Sequence, residues 1–313
     1  VPAPPSAGMP SSVPTNVGTM YNRGIEMAVN AQVIRKKNFS WSSSFNFNFN
    51  ENEVTSLAPG LNRVLSSTSG LETVNITVPG SPVGSLFVTR TNGVDPATGR
   101  RIFINSQGRQ VFYQFRAASG FNFEYADGTR APNVSSADAV VYKNTNPRFV
   151  GGWDNTFNFG NFSLNTLFTY QAGFYVYWGT YAGLRDQRFW NNSTDVLRRW
   201  QKPGDQTDMP KAYFGDNVSN GSAFPLDVNV FKGDFIKLRT AQLSYNLPQS
   251  VLGKAKISSA RFYVSGNNLL ILTKYPGPDP EVSSNGTGST NQGVDRNSVG
   301  NARTITLGVN IGF

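Results

Sequence analysis

Two residue types are missing from this chain of 313 residues, which contains neither cysteine nor histidine. Without cysteine, the fold uses no disulfide bond and no thiolate site. Without histidine, it lacks the most frequent general base and the commonest metal ligand. The sequence also has no phosphate-binding loop and no Ser-His-Asp set. These absences exclude many classes of active site, and we expect a protein that is not an enzyme and that needs no cofactor.

Charged residues and long apolar runs are also scarce. Asp, Glu, Lys and Arg make up 15% of the chain, against about 25% in a typical soluble domain. No run approaches about 18 consecutive apolar residues, which excludes a transmembrane helix. A strand of a membrane barrel needs only about 9–11 residues that are apolar at alternate positions. The sequence therefore leaves a membrane protein built from strands open.

The net charge of +9 comes from dispersed basic residues. Arg35-Lys36-Lys37 is the only tight basic run, and we interpret it as a solvated turn. We therefore expect no nucleic-acid partner. The first residues are rich in Pro and Ser, which predicts a loop over 1–19 without the features of a signal peptide. Since the chain does not begin with Met, we interpret it as the C-terminal part of a longer protein.

Seven segments alternate between two kinds of residue, as strands with two different faces do. In the segment 39–50, Phe and Trp alternate with Ser and Asn, and the last segment ends the chain at Phe313. The predicted strands lie near 24–34, 39–50, 149–159, 162–172, 235–247, 261–273 and 303–313.

The connections between these segments alternate strictly in length. Short turns join the members of each pair, as at Gly160-Asn161. Long loops near 51–148, 173–234 and 274–302 follow the pairs, so all long loops lie at one rim of the sheet. Short periplasmic turns and long extracellular loops are the plan of a transmembrane antiparallel β-barrel. Whether extra short strands lie within 51–148 is left open.

The two faces of the predicted strands differ in chemistry. One face is rich in aromatic and aliphatic residues, and the other carries uncharged polar residues where a soluble surface would carry charges. We predict that Phe45, Phe47, Trp153, Phe157, Leu164, Phe168, Leu307 and Val309 face lipid. We predict that Asn46, Asn48, Asp154, Thr156, Asn165 and Thr169 face the lumen. Aromatic clusters at 157–162 and 170–178 predict two girdles at the membrane interfaces.

The fifth segment breaks this pattern. Lys237 and Arg239 share the phase of its apolar residues, although a basic residue facing lipid at the midplane costs about 2–4 kcal/mol. Either a β-bulge near Thr240 changes the phase, or the upper half of the strand projects above the membrane.

Several stretches together resemble one family, the SusC/RagA-type TonB-linked outer-membrane transporters. They cover most of the chain in the family's order: "NVGTMYNRGIEMAVNAQVIRKKNFSWSSSFNFNFNENEV", "NGVDPATGR", "PRFVGGWDNTFNFGNFSLNTLFTYQAG", "RRWQKPGDQTDMP", "GDFIKLRTAQLSYNLP", "RFYVSGNNLLILTKYPGPDPEV" and "ARTITLGVNIGF". The resemblance implies the C-terminal portion of a plugged barrel of about 22 strands, with the N-terminal plug domain absent from this chain. It also implies that the terminal Phe313 is a signal for barrel assembly.

The resemblance further implies a location in the bacterial outer membrane and a set of partners. These are outer-membrane lipid, the remainder of the barrel and its plug, a SusD-like surface lipoprotein, and a TonB complex that acts through the absent N-terminal region. The implied function is the active import of glycans or peptides.

Aromatic and acidic residues in the long loops are candidates for binding. Tyr177, Trp178, Tyr181, Phe189 and Trp190 are candidates for contact with substrate or with a lid protein, although a structural role is favoured for this cluster. The stretch "STDVLRRWQKPG" predicts a short helix capped by Ser193 or Thr194. Asp279 and Glu281 are weak candidates for calcium ligands, since no EF-hand spacing is present. Otherwise no metal site is predicted.

Two other functions remain open. A soluble β-sandwich or barrel could bind carbohydrate through its loop aromatics, and would fold without detergent. A passive, porin-like outer-membrane barrel would support uptake that persists without a proton gradient.

Overall fold

The computed structural model describes Gly8 and residues 16–68, 72–253, 257–286 and 288–313. Most of the loop predicted over 1–19 lies outside these residues, and the first strand already begins at Gly18. No helix within the described ranges is long and apolar enough to cross a membrane.

Strands dominate the described residues. In chain order they are β1 (Gly18–Arg35), β2 (Phe39–Leu57), β3 (Val64–Thr68), β4 (Glu72–Thr77), β5 (Ser85–Val88), β6 (Arg90–Val94), β7 (Arg101–Ile104), β8 (Gln110–Tyr113), β9 (Phe123–Glu124), β10 (Val140–Val141), β11 (Phe149–Phe159), β12 (Phe162–Ala172), β13 (Tyr175–Trp178), β14 (Val230–Lys232), β15 (Phe235–Asn246), β16 (Ser259–Thr273), β17 (Val294–Asp295) and β18 (Thr304–Gly312). The helices are short: α1 (Gly179–Leu184), α2 (Gln249–Leu252) and 3₁₀ turns at Ser136–Asp138, Thr194–Arg198 and Asp227–Asn229.

The long strands form one antiparallel sheet of seven strands in the order β1-β2-β11-β12-β15-β16-β18. These are the seven segments predicted from alternation. β11 and β12 have the predicted bounds, whereas β1 and β2 extend further, to Gly18 and Leu57. The extension pairs Arg23 with Glu51 and Tyr21 with Glu53. The backbone ladder continues through this part of the hairpin. Alternation did not reveal it, because the side chains here are mostly polar on both faces.

A β-bulge lies in β15. Its pairing with β12 and with β16 shifts between Leu238 and Thr240, so that Arg239 is the extra residue. The shift pairs Lys237 with Thr169 and moves it to the polar side of the sheet. Of the two explanations offered for this strand, the structure shows the bulge.

The sheet has an apolar face and a polar face, as the alternation predicts. Adjacent strands place side chains of one kind in rows, such as Val29, Phe45, Trp153, Phe168 and Leu238 on the apolar face. The next row on the other face joins Ala28, Asn46, Gly152, Thr169 and Lys237. The apolar face is open, since large hydrophobic side chains on every strand of the sheet are exposed.

The three long connections fold into a second body, which we call the loop module (58–148, 173–234 and 274–303). It contains a four-stranded sheet β10-β5-β4-β3, another ordered β6-β7-β8-β9, and a three-stranded sheet β14-β13-β17. One buried core unites all three connections, with Val74 from the first, Tyr177 from the second and Val294 from the third. The module thus holds the main buried apolar clusters, and it lies at the long-loop rim of the sheet.

Candidate functional site

The polar face of the sheet is linked by hydrogen bonds between side chains. The Asn48 amide donates to Glu26 at 2.7 Å, and the Asn165 amide donates to Thr156 at 3.0 Å. The same Asn165 amide lies 3.4 Å from both carboxylate oxygens of Asp154. All six residues predicted to face the lumen share this face: Asn46, Asn48, Asp154, Thr156, Asn165 and Thr169.

The residues predicted to face lipid share the opposite face. Phe45, Trp153, Leu164, Leu307 and Val309 are exposed. Phe47, Phe157 and Phe168 are half-buried by aromatic neighbours, as where Trp41 stacks on Phe157 with ring centroids 5.6 Å apart. Their contact with lipid remains a prediction, but the side chains are in the position it requires.

Two indole groups are satisfied on the apolar face by polar residues that the sequence analysis did not select. The Trp41 indole donates to Asn155 Oδ1 at 3.0 Å, and the Trp153 indole donates to Ser43 Oγ at 2.8 Å. Asn155 is 2% exposed. Asn155 lies two residues after Trp153 on the same strand, and residues two apart on a strand share a face. The sequence position of Asn155 therefore already predicted a place on the apolar face.

A charged cluster fixes the third long connection to the polar face. Lys237 Nζ lies 3.0 Å from Asp279 and 2.7 Å from Glu281, and the Arg239 guanidinium also binds Glu281 at 3.0 Å. The Asn301 amide donates to Asp279 at 2.9 Å. Lys237 and Asp279 are both buried. The bulge therefore directs two cations toward the acidic pair of "PGPDPEV", a link across more than forty residues that spacing did not reveal.

Burial would raise the pKa of both carboxyl groups of this cluster, but their partners outweigh it. The backbone N–H of Glu281 and the Lys237 ammonium hold the pKa of Asp279 below its ordinary value. Arg239 and Lys237 do the same for the pKa of Glu281. Each carboxylate thus has a protein cation as its counter-ion, and no group of three metal-ligating side chains occurs in the described ranges. The geometry gives the calcium interpretation of Asp279 and Glu281 no support.

The five candidate loop aromatics fall into two groups. Tyr177 and Tyr181 are 1% and 7% exposed, and Trp178 stacks on Tyr181 with ring centroids 4.6 Å apart. These three pack inside the loop module, so the structural role favoured for the cluster applies to them. Phe189 and Trp190 are 72% and 54% exposed and pack on each other at 4.6 Å. Only this pair is available to a partner.

The upper aromatic girdle predicted at 170–178 is wrong for its second half. Tyr175–Trp178 is strand β13, which pairs with β14 and β17 away from the large sheet. Phe174 is buried against Phe235 and Tyr275, where the module meets the sheet. These aromatics form the base of the loop module because backbone partners reach them from β14 in the same connection and from β17 in the third.

The two remaining predicted features lie at the ends of elements. Phe313 follows β18 at the rim of the short turns and is 93% exposed. The predicted short helix is the 3₁₀ turn Thr194–Arg198, with the Ser193 hydroxyl accepting from the backbone N–H of Asp195. Arg198 binds Asp195 and Asp208, which ties this turn to the following loop.

No protein-family profile matches the chain. The TonB-dependent receptor P3 of Formosa agariphila is 29% identical over the full length of this chain, and the TonB-dependent receptor SusC of Bacteroides thetaiotaomicron is 23% identical over 95% of it. A solved structure of the RagAB peptide transporter covers the whole chain with a TM-score of 0.76 and 25% identity. The chain is homologous to SusC-type TonB-dependent receptors.

The homology confirms the resemblance drawn from the sequence motifs and the fold class. The seven-stranded antiparallel sheet of this chain is a portion of a transmembrane β-barrel. The chain spans 27–32% of the length of the relatives and structures that it matches. Import, substrate and partners of a whole receptor therefore belong to the proposal that follows.

Proposed function

We propose that this chain forms part of the barrel wall and the extracellular loops of a TonB-dependent outer-membrane importer of glycans or peptides. The observation that carries the proposal is the two-faced sheet, whose apolar face is open along all seven strands. A soluble carbohydrate-binding sandwich would bury that face in a core. Here the buried cores lie in the loop module instead, which favours a wall whose apolar side is covered by lipid.

The polar face would line the lumen around the plug supplied by the rest of the polypeptide. Its asparagines, serines and threonines pair with one another across strands, as Ser44 does with Asn30 at 2.6 Å. Such a surface stays hydrated and offers both donors and acceptors. The edge strands β1 and β18 have unpaired sides in this chain, and in a membrane both must pair with further strands of the barrel.

The exposed pair Phe189 and Trp190 is the best-placed contact for a SusD-like lipoprotein lid. Exposed aromatic residues that are held by a rigid base are typical anchors of protein interfaces. The turn around the pair supplies that base, since the Arg188 guanidinium binds the buried Asp186 and the Asn192 side-chain amide donates to the Asp186 carbonyl at 2.8 Å. RagAB is a peptide transporter, which supports peptides as the substrate. Glycans are the second substrate class of the proposal.

Import is tested in a strain that carries the full-length gene and a deletion of it. We expect the protein in the outer-membrane fraction, and we expect growth on oligosaccharides or on oligopeptides as sole nutrient to require the gene. Uptake should stop when a protonophore collapses the proton gradient. Uptake that continues under protonophore indicates a passive porin, and recovery of the full-length protein as a soluble monomer contradicts the proposal.

The lid contact is tested with Phe189→Ser/Trp190→Ser in the full-length protein. We expect weaker binding of the purified SusD-like lipoprotein of the same organism, with unchanged amounts of receptor in the outer membrane. The control is Phe121→Ser, since Phe121 is also an exposed aromatic of the loop module. Equal loss of binding in both variants would contradict a specific role for the pair.

A further inference from the structure

A groove crosses the apolar face just below the long-loop rim. Its floor is one row of the sheet, in which Tyr170, Ile236 and Leu272 lie side by side on β12, β15 and β16. Ile236 and Leu272 are 51% and 60% exposed. The cavity volume is about 720 Å³, within the roughly 300–1,000 Å³ of sites that bind small molecules.

A glycine on β11 makes room for the Tyr170 ring. Gly151 lies opposite Tyr170 in the register of β11 and β12. A Cβ at this position would stand 2.5 Å from the Tyr170 hydroxyl oxygen. Tyr170 therefore lies over the backbone of β11, and its ring is the edge of the groove floor on that side.

Basic residues stand at the upper end of the groove. Lys232, Lys274 and Asp234 line it together with the apolar floor. Asp234 is engaged twice, since it accepts from the backbone N–H of Gly173 at 2.8 Å and lies 3.4 Å from Lys232. The salt bridges of the described residues do not include Lys274. The upper end therefore carries two ammonium groups and one carboxylate, a net charge of +1.

We propose that this groove binds one lipid with a phosphate head group, whose acyl chain lies on Tyr170, Ile236 and Leu272 and whose phosphate meets Lys274 and Lys232. The inference rests on the proposed function, which places the apolar face in hydrocarbon and the long-loop rim at the outer surface of the membrane. The apolar floor complements an acyl chain, and the ammonium groups at the upper end complement a phosphate. The two parts follow one another in the same order as in an anionic lipid.

The groove itself argues against a free anion as the occupant. Two exposed lysines beside one aspartate hold inorganic phosphate only weakly in water, because exposed ion pairs contribute about 0–1 kcal/mol each. A phosphate that is attached to an acyl chain is held at the membrane surface beside the lysines, because the chain stays in the hydrocarbon that covers this face. The acyl chain therefore places the phosphate within reach of both lysines, and the phosphate distinguishes this lipid from a neutral one.

The test uses the full-length protein purified in a non-ionic detergent and titrated with dioleoyl phosphatidate, with binding followed by native mass spectrometry. Dioleoylglycerol, which lacks the phosphate, and inorganic phosphate, which lacks the chains, are the two reference probes. We expect saturable binding of one phosphatidate and much weaker binding of either reference. Equal binding of dioleoylglycerol, or equal binding of inorganic phosphate, overturns the proposal.

The variants separate the head group from the chain. Lys232→Gln/Lys274→Gln should weaken phosphatidate binding about tenfold, as expected for the loss of about 1.4 kcal/mol. Lys36→Gln/Lys37→Gln removes the same charge from the exposed turn at the other rim, and should leave the affinity nearly unchanged. Leu272→Ser should weaken binding of phosphatidate while the lysines remain. Equal losses in the two lysine pairs would show nonspecific attraction and reject the site.

Failure of this site and failure of the proposed function give different results. If each variant is recovered in the outer membrane but phosphatidate binds the lysine variants like the wild type, the site is rejected and the barrel assignment stands. If the wild-type protein is recovered as a soluble monomer, the membrane placement fails and the lipid site fails with it.

Discussion

At the scale of single residues, neighbours in the chain occupy different environments. Ala28 and Val29 are adjacent on β1, yet Ala28 shares its row with Asn46 and Val29 shares its row with Phe45. Both side chains are exposed in this chain. Because alternation sends them to opposite faces, the same substitution at the two positions tests what each face contacts.

We expect Val29→Arg to destabilise the full-length barrel in a bilayer by about 2–4 kcal/mol, since it places a cation in hydrocarbon. Ala28→Arg should cost about 0–1 kcal/mol, because its guanidinium points to the hydrated polar face near Glu26. Denaturant unfolding of protein reconstituted in vesicles measures both. Equal costs at the two positions would falsify the assignment of the faces.

The pair Asp279 and Glu281 makes the third long connection sensitive to acid. Burial opposes their ionisation, but Lys237, Arg239 and nearby N–H groups hold the pKa of each carboxyl below its ordinary value. A carboxyl with a lowered folded-state pKa contributes stability above its unfolded pKa of about 4, and this contribution is lost as pH falls through the folded value. The connection should therefore loosen only in acid.

We expect the protection of residues 274–286 against hydrogen exchange, corrected for the intrinsic pH dependence of exchange, to be high at neutral pH and to fall below about pH 4. In Glu281→Gln, the neutral amide no longer pairs with Arg239, so exchange should be faster at neutral pH and should depend less on acid. Asp127→Asn is the control, because Asp127 is an exposed carboxylate that contacts only its own turn at Thr129. The same acid profile in wild type and Glu281→Gln would exclude the mechanism.

At the scale of elements, one extra residue in β15 moves Lys237 from the apolar face of the sheet to the polar face. Without the bulge at Arg239, Lys237 would keep the phase of Leu243 and Tyr245 and would lie on the apolar face. With it, Lys237 is 2% exposed and paired to Asp279. A bulge changes the face of every residue beyond it.

We expect deletion of Arg239 to prevent stable assembly of the barrel, because it forces Lys237 or the apolar half of β15 onto the wrong face. Arg239→Ala keeps the residue count and loses the contacts of the guanidinium with Glu281, Asn268 and Thr169, so it should assemble with a modest loss of stability, about 1–3 kcal/mol. Heat-modifiable mobility of the full-length protein in gels reports assembly. Normal mobility of the deletion variant would count against the role of the bulge.

Alternation predicted the sheet and its faces because the face that a residue of a long strand occupies depends on whether its position is odd or even. The bounds of β11 and β12 and both sets of facing residues follow from that single periodicity. The loop module has no comparable signal, because its strands are short and some are buried on both faces, as β5 is at all four positions. Its cores combine residues from distant connections, which is why Tyr177 and Tyr181 were selected as surface candidates and are found inside.

At the scale of the whole molecule, the sheet and the loop module are held by different forces. The sheet depends on backbone ladders and on what covers its apolar face, whereas the module has its own buried cores. Leu226, in the second connection, is fully buried against Phe103 and Val111 of the first. The backbone N–H of Thr89 and of Asp227 bridges the same two connections.

This division makes a prediction about local stability. Leu226→Ala should destabilise the loop module by about 2–5 kcal/mol, because it leaves a cavity where the first and second connections meet. Hydrogen exchange should accelerate in 101–113 and 226–230 together and remain unchanged in β1 and β2. Leu197→Ala, at a side chain that is 66% exposed in the same module, should change neither. Faster exchange throughout the sheet would show that wall and module unfold as one unit, and uniform protection would show that Leu226 does not hold the module together.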